Sequence, residues 1–305
     1  MGEANICENN SAILKKNSLF GFLNVYKPKG MTSFDVVARL RRVTKIKQIG
    51  HTGTLDPFAV GVLPICIGKS TRLIEYLKDD KEYIATVQFG KDTDTYDLDG
   101  VVVKTYDNKI SATDVKNTLK LFEGEIEQMP PIYSAIKVKG KKLYEYARQG
   151  EEVKIEPRKV VISKIELIDF NEEEQFAKIL VCCSKGTYIR SIAYDLGQKL
   201  NCGGYLTELE RTKAGMFMAE NSIKLDDITD LAVVLDNLIN PVEVLELSKY
   251  ELSTVEKELV SHGMSLENSK FKNSEVVILL YGDKIYAIGL VEQNKILPKK
   301  VFEVL

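Results

Sequence analysis

Hydrophobic and polar residues alternate in several short stretches of the chain, as they do in strands with one buried face. FLNVYKPKG, residues 22–30, predicts a strand that ends in a Lys-Pro turn, and two more strands are predicted near 160–168 and 176–183. The clearest alternation is in KEYIATVQFG, residues 81–90. One side of that predicted strand carries Tyr83, Ala85, Val87 and Phe89.

Apolar residues three or four positions apart predict the helices. TSFDVVARLRRVTKIKQ, residues 32–48, starts with Thr32 and Asp35 at the spacing of a capping box. In GTYIRSIAYDLGQKL, we expect a strand end at 188–190 to pass into a helix. The apolar stripes of these helices, and of a short one between them, are Val36, Leu40 and Val43; Ile192, Leu196 and Leu200; and Val115, Leu119 and Phe122.

The composition of the chain shifts near residues 241–245. Beyond this point, VVILLYGDKIYAIGLVE predicts a hairpin over a two-residue Gly-Asp turn. A small helix is predicted from Leu252, Val255 and Leu259, ended by Gly263. We therefore expect a loose polar tail over residues 1–18, a main domain over 19–245, and a small, mostly β module over 246–305.

Composition places the chain among ordinary globular proteins, with 44% hydrophobic and 28% charged residues in 305. The chain has no apolar run of membrane-spanning length, and its N-terminus lacks the pattern of a signal peptide. Its five cysteines are odd in number and form no CxxC pair, which argues against both a disulfide framework and a zinc site. We expect reduced thiols and a cytoplasmic protein.

Positive charge is concentrated in two segments, although the net charge is only −2. Residues 31–50 carry five Lys or Arg against one Asp, and residues 137–159 carry eight against four acids. Residues 221–260 are acidic, with nine acids against three lysines. The basic segments could line a phosphate-binding face, or could simply be solvated helix surfaces. In 128–150 tyrosines interleave with lysines, a composition that suits stacking on bases and pairing with phosphates.

Two stretches that contain aspartate are candidates for chemistry. GHTGTLDPFAVGVLP, residues 50–64, places Asp56 directly before a proline, a pair that is also typical of a helix N-cap. KDTDTYDLDG, residues 91–100, is rich in Asp but lacks the glycine and terminal glutamate of an EF-hand, so we interpret it as a plain loop.

Six motifs, in order, resemble the TruB family of tRNA pseudouridine synthases over residues 20–220. They are LNVYKPKGMTSFDVV, GHTGTLDPFAVGVLP, KEYIATVQFG, QMPPIYSAIKVKGKKLYEYAR, CSKGTYIRSIAYDLG and GGYLTELERTKAG. The tail YAIGLVEQNKILPKKVF is similar to the PUA-like RNA-binding domain of bacterial members. The chain departs from the family at Glu210-Arg211, where paired arginines are common, and at Gly204-Tyr205, where Ala-His is frequent.

The resemblance implies an α+β pseudouridine synthase fold. Its parts would be a mixed, largely antiparallel sheet flanked by helices, a thumb-like insertion at about 124–155, and the small PUA-like module. It also implies an enzyme that isomerises uridine 55 in the T-loop of tRNA after flipping the base out of the RNA. The family works without metal or organic cofactor. We expect a monomer with no obligate protein partner.

The resemblance assigns a role to seven side chains. Asp56 would be the nucleophile, and Arg190 the cation that keeps a buried carboxylate charged. Tyr83 would stack on the target base, although a half-buried strand tyrosine is the plainer interpretation. The substrate-binding residues would be His51 in the space that the base vacates, Tyr188 and Leu209 around the uracil, and Lys27 on the RNA backbone. For Leu209, simple core packing is the rival interpretation.

Two other functions compete with this one. The dyskerin-like relatives share the aspartate motif but depend on guide RNA; the long 128–150 segment and the brief C-terminal module argue against them. An RNA-folding chaperone would rest on the basic segments and the PUA-like tail, with catalysis secondary or absent.

Overall fold

A large mixed sheet forms the centre of the main domain. The computed structural model describes residues 19–302 apart from 135, 139 and 152, so the predicted tail of residues 1–18 lies outside the described residues. The strands of this sheet are β1 (Gly21–Lys27), β2 (Ile49–His51), β3 (Val60–Ile67), β4 (Lys81–Phe89), β7 (Gly124–Gln128), β10 (Arg158–Asn171), β11 (Phe176–Cys183), β12 (Gly204–Ala214), β13 (Phe217–Met218) and β14 (Ile223–Lys224). Two short hairpins lie outside it, β5 (Lys91–Thr93) with β6 (Val102–Thr105), and β8 (Lys137–Val138) with β9 (Lys141–Lys142).

The order of the sheet brings the functional motifs side by side. It runs β14-β1-β3-β12-β4-β11-β10-β7, with β2 paired to β3 and β13 to β12. Within this sheet, only the described pairs β1–β14 and β3–β12 are parallel. The expectation of a mixed, largely antiparallel sheet is therefore confirmed. Since β12 lies between β3 and β4, the strand that follows the Asp56 loop is only one strand away from the strand of Tyr83.

Helices pack on the sheet through the apolar stripes that were predicted from the sequence. Thr32 and Asp35 form the predicted capping box of α1. The main-domain helices are α1 (Ser33–Thr44), α2 (Ala112–Leu119), α3 (Leu143–Gln149), α4 (Ile189–Lys199), α5 (Leu231–Asp236) and α6 (Pro241–Val244), with a 3₁₀ helix at Gly68–Tyr76. Buried side chains of α1, α2 and α4 join one face of the sheet in a single apolar core. No helix of the described chain is long and apolar enough to cross a bilayer.

A second sheet follows residue 247 and contains the predicted hairpin. Its order is β15-β17-β18-β19-β16. Its elements are β15 (Ser248–Glu251), α7 (Thr254–Ser261), β16 (Leu266–Glu267), β17 (Val276–Tyr281), β18 (Lys284–Glu292) and β19 (Lys295–Val301). The two-residue turn between β17 and β18 confirms the Gly-Asp prediction, but two of the three residues assigned to the small helix do not pack as expected. Leu252 is buried before α7 begins, and Val255 lies on α7 with its side chain exposed.

An apolar cluster joins the second sheet to the main domain. Phe22, Val62 and Phe217 of the main domain pack with Ile278 and Phe302 of the second sheet. Around Phe302, the Phe20 ring stacks at 5.2 Å between centroids and the Arg72 guanidinium lies 4.9 Å from the ring centroid. The second sheet therefore covers the face of β1 and β3 that the helices leave open.

Candidate active site

Asp56 lies in the loop between β2 and β3, and no helix begins there. Residues 52–59 contain bends at 52–53 and 57–58, and the next regular element in the described chain is β3. The capping interpretation is therefore wrong. The loop is fixed from below by Ser33 of α1, whose hydroxyl accepts from the Leu55 N–H (2.8 Å) and donates to the Leu55 carbonyl (3.1 Å). Asp56 is thus held by its neighbour, and its own carboxylate stays free for other contacts.

The carboxylate of Asp56 faces the guanidinium of Arg190, the second residue of α4. Nε of Arg190 lies 3.0 Å from Oδ2, and Nη2 donates to Oδ1 at 3.3 Å. The Nε contact is an ion pair off the N–H axis rather than a hydrogen bond. The Arg190 side chain is 5% exposed, whereas that of Asp56 is 32% exposed. The pair therefore combines a buried cation with a carboxylate that a substrate can reach.

Asp97 is a second partner of Arg190, and the sequence did not reveal it. Nη1 of Arg190 lies 3.2 Å from Oδ2 of Asp97 and donates to the Thr95 carbonyl, also at 3.2 Å. The other oxygen of Asp97 accepts from the Thr95 hydroxyl (2.6 Å) and the Asp99 N–H (3.1 Å). Burial raises the pKa of Asp97, while the Thr95 hydrogen bond and the charge of Arg190 act in the opposite direction. The interpretation of residues 91–100 as a plain loop is wrong, because this segment holds the arginine.

We call residues 93–97 the arch. It is closed by a turn at Gly100, where an added Cβ would lie 2.3 Å from the Thr95 hydroxyl oxygen. Asp94 and Val101 exchange hydrogen bonds across the base of this turn. The tight turn requires glycine, and a glycine after an Asp-rich run is the only local signal that could have marked the segment as ordered.

Tyr83 and Leu209 lie on one face of adjacent strands. Both are buried, and both belong to the apolar core that also contains Leu55 and Ile189, the neighbours in sequence of Asp56 and Arg190. Burial raises the pKa of Tyr83, opposed by the charge and hydrogen bond of Arg211. A phenol with a raised pKa is neutral near pH 7 and keeps its proton to donate. The charge of Asp56 also acts on the pKa of Tyr83, so the tyrosine lies near the carboxylate, and Leu209 shares its apolar core.

Arg211, noted in the sequence only as a departure from the family pattern, proves to be one of the largest fully buried side chains. Its Nε donates to the Val62 carbonyl (2.7 Å) and its Nη2 to the Gly53 carbonyl (3.1 Å). It thus ties β12 to the loop that carries Asp56. This close approach needs Gly61, where an added Cβ would lie 2.3 Å from the Arg211 carbonyl oxygen.

Glu210, the residue before Arg211, also forms a hydrogen bond. It accepts a hydrogen bond from the Tyr26 hydroxyl at 2.9 Å. Burial together with Glu210 raises the pKa of Tyr26 to about 12. Glutamate at this position therefore holds β12 to β1 across the intervening strand β3.

His51 lies at the end of β2, half-buried. Burial lowers its pKa, and the charge of Arg211 lowers it further, so the ring is neutral at pH 7. Its Nδ1 is buried with no hydrogen-bond partner among the described residues. A neutral ring suits contact with a base or sugar better than an ion pair with phosphate.

Lys27 does not present a cation to RNA, contrary to the prediction. Its side chain is fully buried, and Nζ donates to the carbonyls of Met31 (2.7 Å), Pro28 (2.9 Å) and Pro57 (3.2 Å). Burial lowers its pKa to about 8, although the charge of Asp56 acts to raise it. Lys27 instead binds the 28–31 turn to the residue after Asp56.

Tyr188 caps α4 with extended backbone and does not end a strand; the preceding strand β11 stops at Cys183. Its N–H donates to the Gln128 side-chain oxygen (2.8 Å), and its carbonyl accepts from the Gln128 amide (3.0 Å). One residue beyond Arg190, the Ser191 hydroxyl donates to the Met129 carbonyl (2.8 Å). Arg190 itself donates to the Tyr133 carbonyl at 2.9 Å. The start of the Lys/Tyr-rich segment is thereby anchored at the first turn of α4.

Known proteins are similar to this chain in sequence and in fold. Residues 41–189 match the sequence profile of the TruB family pseudouridylate synthase (N terminal domain), and residues 190–245 match that of the tRNA pseudouridylate synthase B C-terminal domain. These matches define the chain as a pseudouridine synthase. The chain belongs to the TruB family.

Relatives named tRNA pseudouridine synthase B match most of the chain. The protein of Clostridium tetani is 45% identical over 88% of this chain and 94% of its own length. That of Caldanaerobacter subterraneus subsp. tengcongensis is 42% identical over 93% of this chain and 100% of its own. Among solved structures, an H/ACA RNP bound to a substrate RNA containing 2′-deoxyuridine is similar with a TM-score of 0.71 at 25% identity, covering 95% of this chain and 87% of that one.

Proposed function

We propose that this protein converts uridine 55 in the T-loop of tRNA to pseudouridine, with Asp56 as the nucleophile. Membership of the TruB family gives the reaction class, the isomerisation of uridine in tRNA. The single observation that carries the assignment of Asp56 is its partly exposed carboxylate, fixed on one side by the buried guanidinium of Arg190. We further propose a monomer that acts in the cytoplasm without guide RNA or an obligate protein partner.

The reaction rearranges one nucleotide without gain or loss of atoms. The bond between uracil N1 and ribose C1′ breaks, the base turns, and a new bond joins C5 to C1′. The C5 proton leaves, and N1 gains a proton. Such a reaction needs an ionised nucleophile in a site that holds the base while it is detached.

The geometry supports a role for each of the residues around Asp56. Arg190 pairs with the carboxylate of Asp56 and orients it, while Asp97 orients Arg190. Tyr83 provides a ring for stacking and Leu209 an apolar wall. The neutral ring of His51 is suited to fill the place that the flipped base leaves.

We also propose that two further parts grip the RNA. The Lys/Tyr-rich segment 128–150 is anchored to α4 and extends from the edge strand β7. The second sheet, residues 248–301, is proposed as a PUA-like RNA-binding module. Lys27 has no part in this grip, because its ammonium is buried.

The test is to incubate the full chain with an unmodified tRNA transcript and map pseudouridine along it. We expect a single modified position, 55, without added guide RNA or protein. A transcript with cytidine at position 55 is the matched control and should stay unmodified. Modification elsewhere only, or a requirement for guide RNA, would contradict the proposal; the latter would favour the guide-dependent class that the H/ACA structure represents.

A further inference from the structure

Two tyrosines stack directly beside the network that holds Arg190. The rings of Tyr96, in the arch, and Tyr194, in α4, lie 4.1 Å apart between centroids and 19° from parallel. Tyr96 immediately precedes Asp97, and Tyr194 follows Arg190 by one helical turn. Both side chains are half-buried. The stack therefore joins the same two elements that the Arg190–Asp97 ion pair joins.

The backbone of Tyr96 is strained in a way that calls for a reason. Its φ is +62°, in the left-handed region that favours glycine and is unusual for a bulky side chain. The residue is held there from both sides: its N–H donates to the Thr93 carbonyl (3.2 Å), and its carbonyl accepts from the Leu206 N–H (3.0 Å). Strained residues that the surroundings fix in this way concentrate at functional sites.

The arch contacts α4 at two points that are one turn apart. At the first point, Arg190 donates to the Thr95 carbonyl and the Asp97 carboxylate. At the second, the tyrosine rings stack face to face. The arch is also tied to β12 by the Leu206 hydrogen bond, so the ring stack adds a second contact with the helix itself. Two points fix the direction in which Thr95 and Asp97 face the guanidinium.

We propose that the Tyr96–Tyr194 stack positions Arg190 for catalysis by clamping the arch onto α4. The two tyrosines are positioning residues: they act through Asp97 and Arg190 on the orientation of Asp56. This inference rests on the proposed function and adds to it a device that the catalytic residues do not themselves supply.

The decisive variant is Tyr96→Gly, because glycine adopts the left-handed conformation without strain. It removes the stack but relieves the backbone strain, and since these two effects on stability oppose each other we expect the melting temperature to change little. We expect kcat for tRNA to fall by ~10-fold and KM to change by less than ~2-fold, since loss of orientation impairs turnover rather than binding. If Tyr96 had a merely structural role, kcat would fall only together with the melting temperature.

Tyr194→Ala and Tyr194→Phe form the matched pair on the other side of the stack. The phenylalanine keeps the ring and should retain activity within ~2-fold of the wild type, whereas the alanine should lose ~10-fold in kcat. The dependence on Asp97 is tested by a double-mutant cycle. If the stack acts through Asp97, Tyr96→Gly should cost little further activity in an Asp97→Asn background.

The outcomes separate this inference from the proposed function. If the wild type modifies uridine 55 but Tyr96→Gly matches its kcat, the clamp is wrong and the proposed function stands. Equal, additive losses in the wild-type and Asp97→Asn backgrounds would also overturn it, as would a fall in kcat that only tracks a lower melting temperature. If the wild type itself leaves the transcript unmodified, the proposed function fails first.

Discussion

Asp97 contacts Nη1 of Arg190 at 3.2 Å and leaves Nε and Nη2 of the same guanidinium directed at Asp56. The two carboxylates therefore share one buried cation through different nitrogens. The orientation of Arg190 is set by Asp97 and by two backbone carbonyls, those of Thr95 and Tyr133. Asp56, the more exposed of the two carboxylates, is thus the last member of a fixed chain of contacts.

Replacing Asp97 by asparagine should weaken turnover more than binding. The amide oxygen can still accept from Arg190, but the ion pair with the guanidinium is lost, which corresponds to ~10- to 100-fold in kcat. Steady-state kinetics on a tRNA transcript measures this. Asp99→Asn removes an exposed carboxylate two residues along and should leave kcat unchanged; equal losses in the two variants would remove Asp97 from the mechanism.

Asp56→Asn should abolish modification while tRNA binding persists. The neutral amide is no nucleophile, so we expect turnover to fall by ~10⁴-fold or more, while the Kd for tRNA changes by less than ~3-fold because Asp56 contacts no phosphate in the proposed mechanism. Filter binding and pseudouridine mapping on one transcript give both quantities. Retained modification would refute Asp56 as the nucleophile, whereas retained tRNA-folding assistance in the inactive variant would show a second, chaperone activity.

Two substitutions of Tyr83 separate its ring from its hydroxyl. Tyr83→Leu removes the stacking surface, which should lower kcat/KM by ~10- to 100-fold. Tyr83→Phe keeps the ring, and we expect it to exceed the leucine variant by at least ~10-fold. If the two variants are equally impaired, stacking is not what Tyr83 contributes, and the hydroxyl beside Arg211 becomes the group to study.

Lys27 should make the free energy of unfolding depend on pH above pH 8. Its pKa is lowered to about 8 in the folded protein, below the value of 10.5 for the unfolded chain. Between these values the unfolded chain binds more protons, so the contribution of Lys27 to the free energy of unfolding rises with pH across that window.

The comparison of wild type with Lys27→Met isolates this contribution. Denaturant unfolding at pH 8, 9 and 10 should show the wild type gaining stability relative to the variant as the pH rises. Lys29→Met removes an exposed ammonium from the same turn and should give curves parallel to those of the wild type. A constant difference between wild type and Lys27→Met would mean that the lysine is not protonated differently on folding.

Local patterns predicted those elements whose burial follows from the chain itself. The alternation in β4 matches its buried residues, Tyr83 to Phe89, because a strand with one buried face imposes period two. The capping box at Thr32 and the Gly-Asp turn after β17 are closed within a few residues, so no distant contact can change them.

The errors occurred where distant contacts decide the outcome. Asp97 sits in a run of acids that looks like any solvated loop, and only the packing of the arch on α4 turns it inward. Lys27 ends strand β1 and precedes a proline, a typical place for an exposed cation, but its ammonium donates to the carbonyls of Met31 and Pro57. For Asp56, only the resemblance of several motifs outweighed the capping interpretation, since the Asp-Pro pair itself favours a helix start.

Phe302 fills a place in the main domain from the far end of the chain, stacked on Phe20 and covered by Arg72. Deleting the second sheet would therefore do more than weaken RNA binding. It would expose the apolar side chains of β1 and β3 that the second sheet buries, and that exposed surface would favour aggregation. The main domain therefore depends on Phe302, which follows the last strand of the second sheet, to bury the apolar surface of β1 and β3.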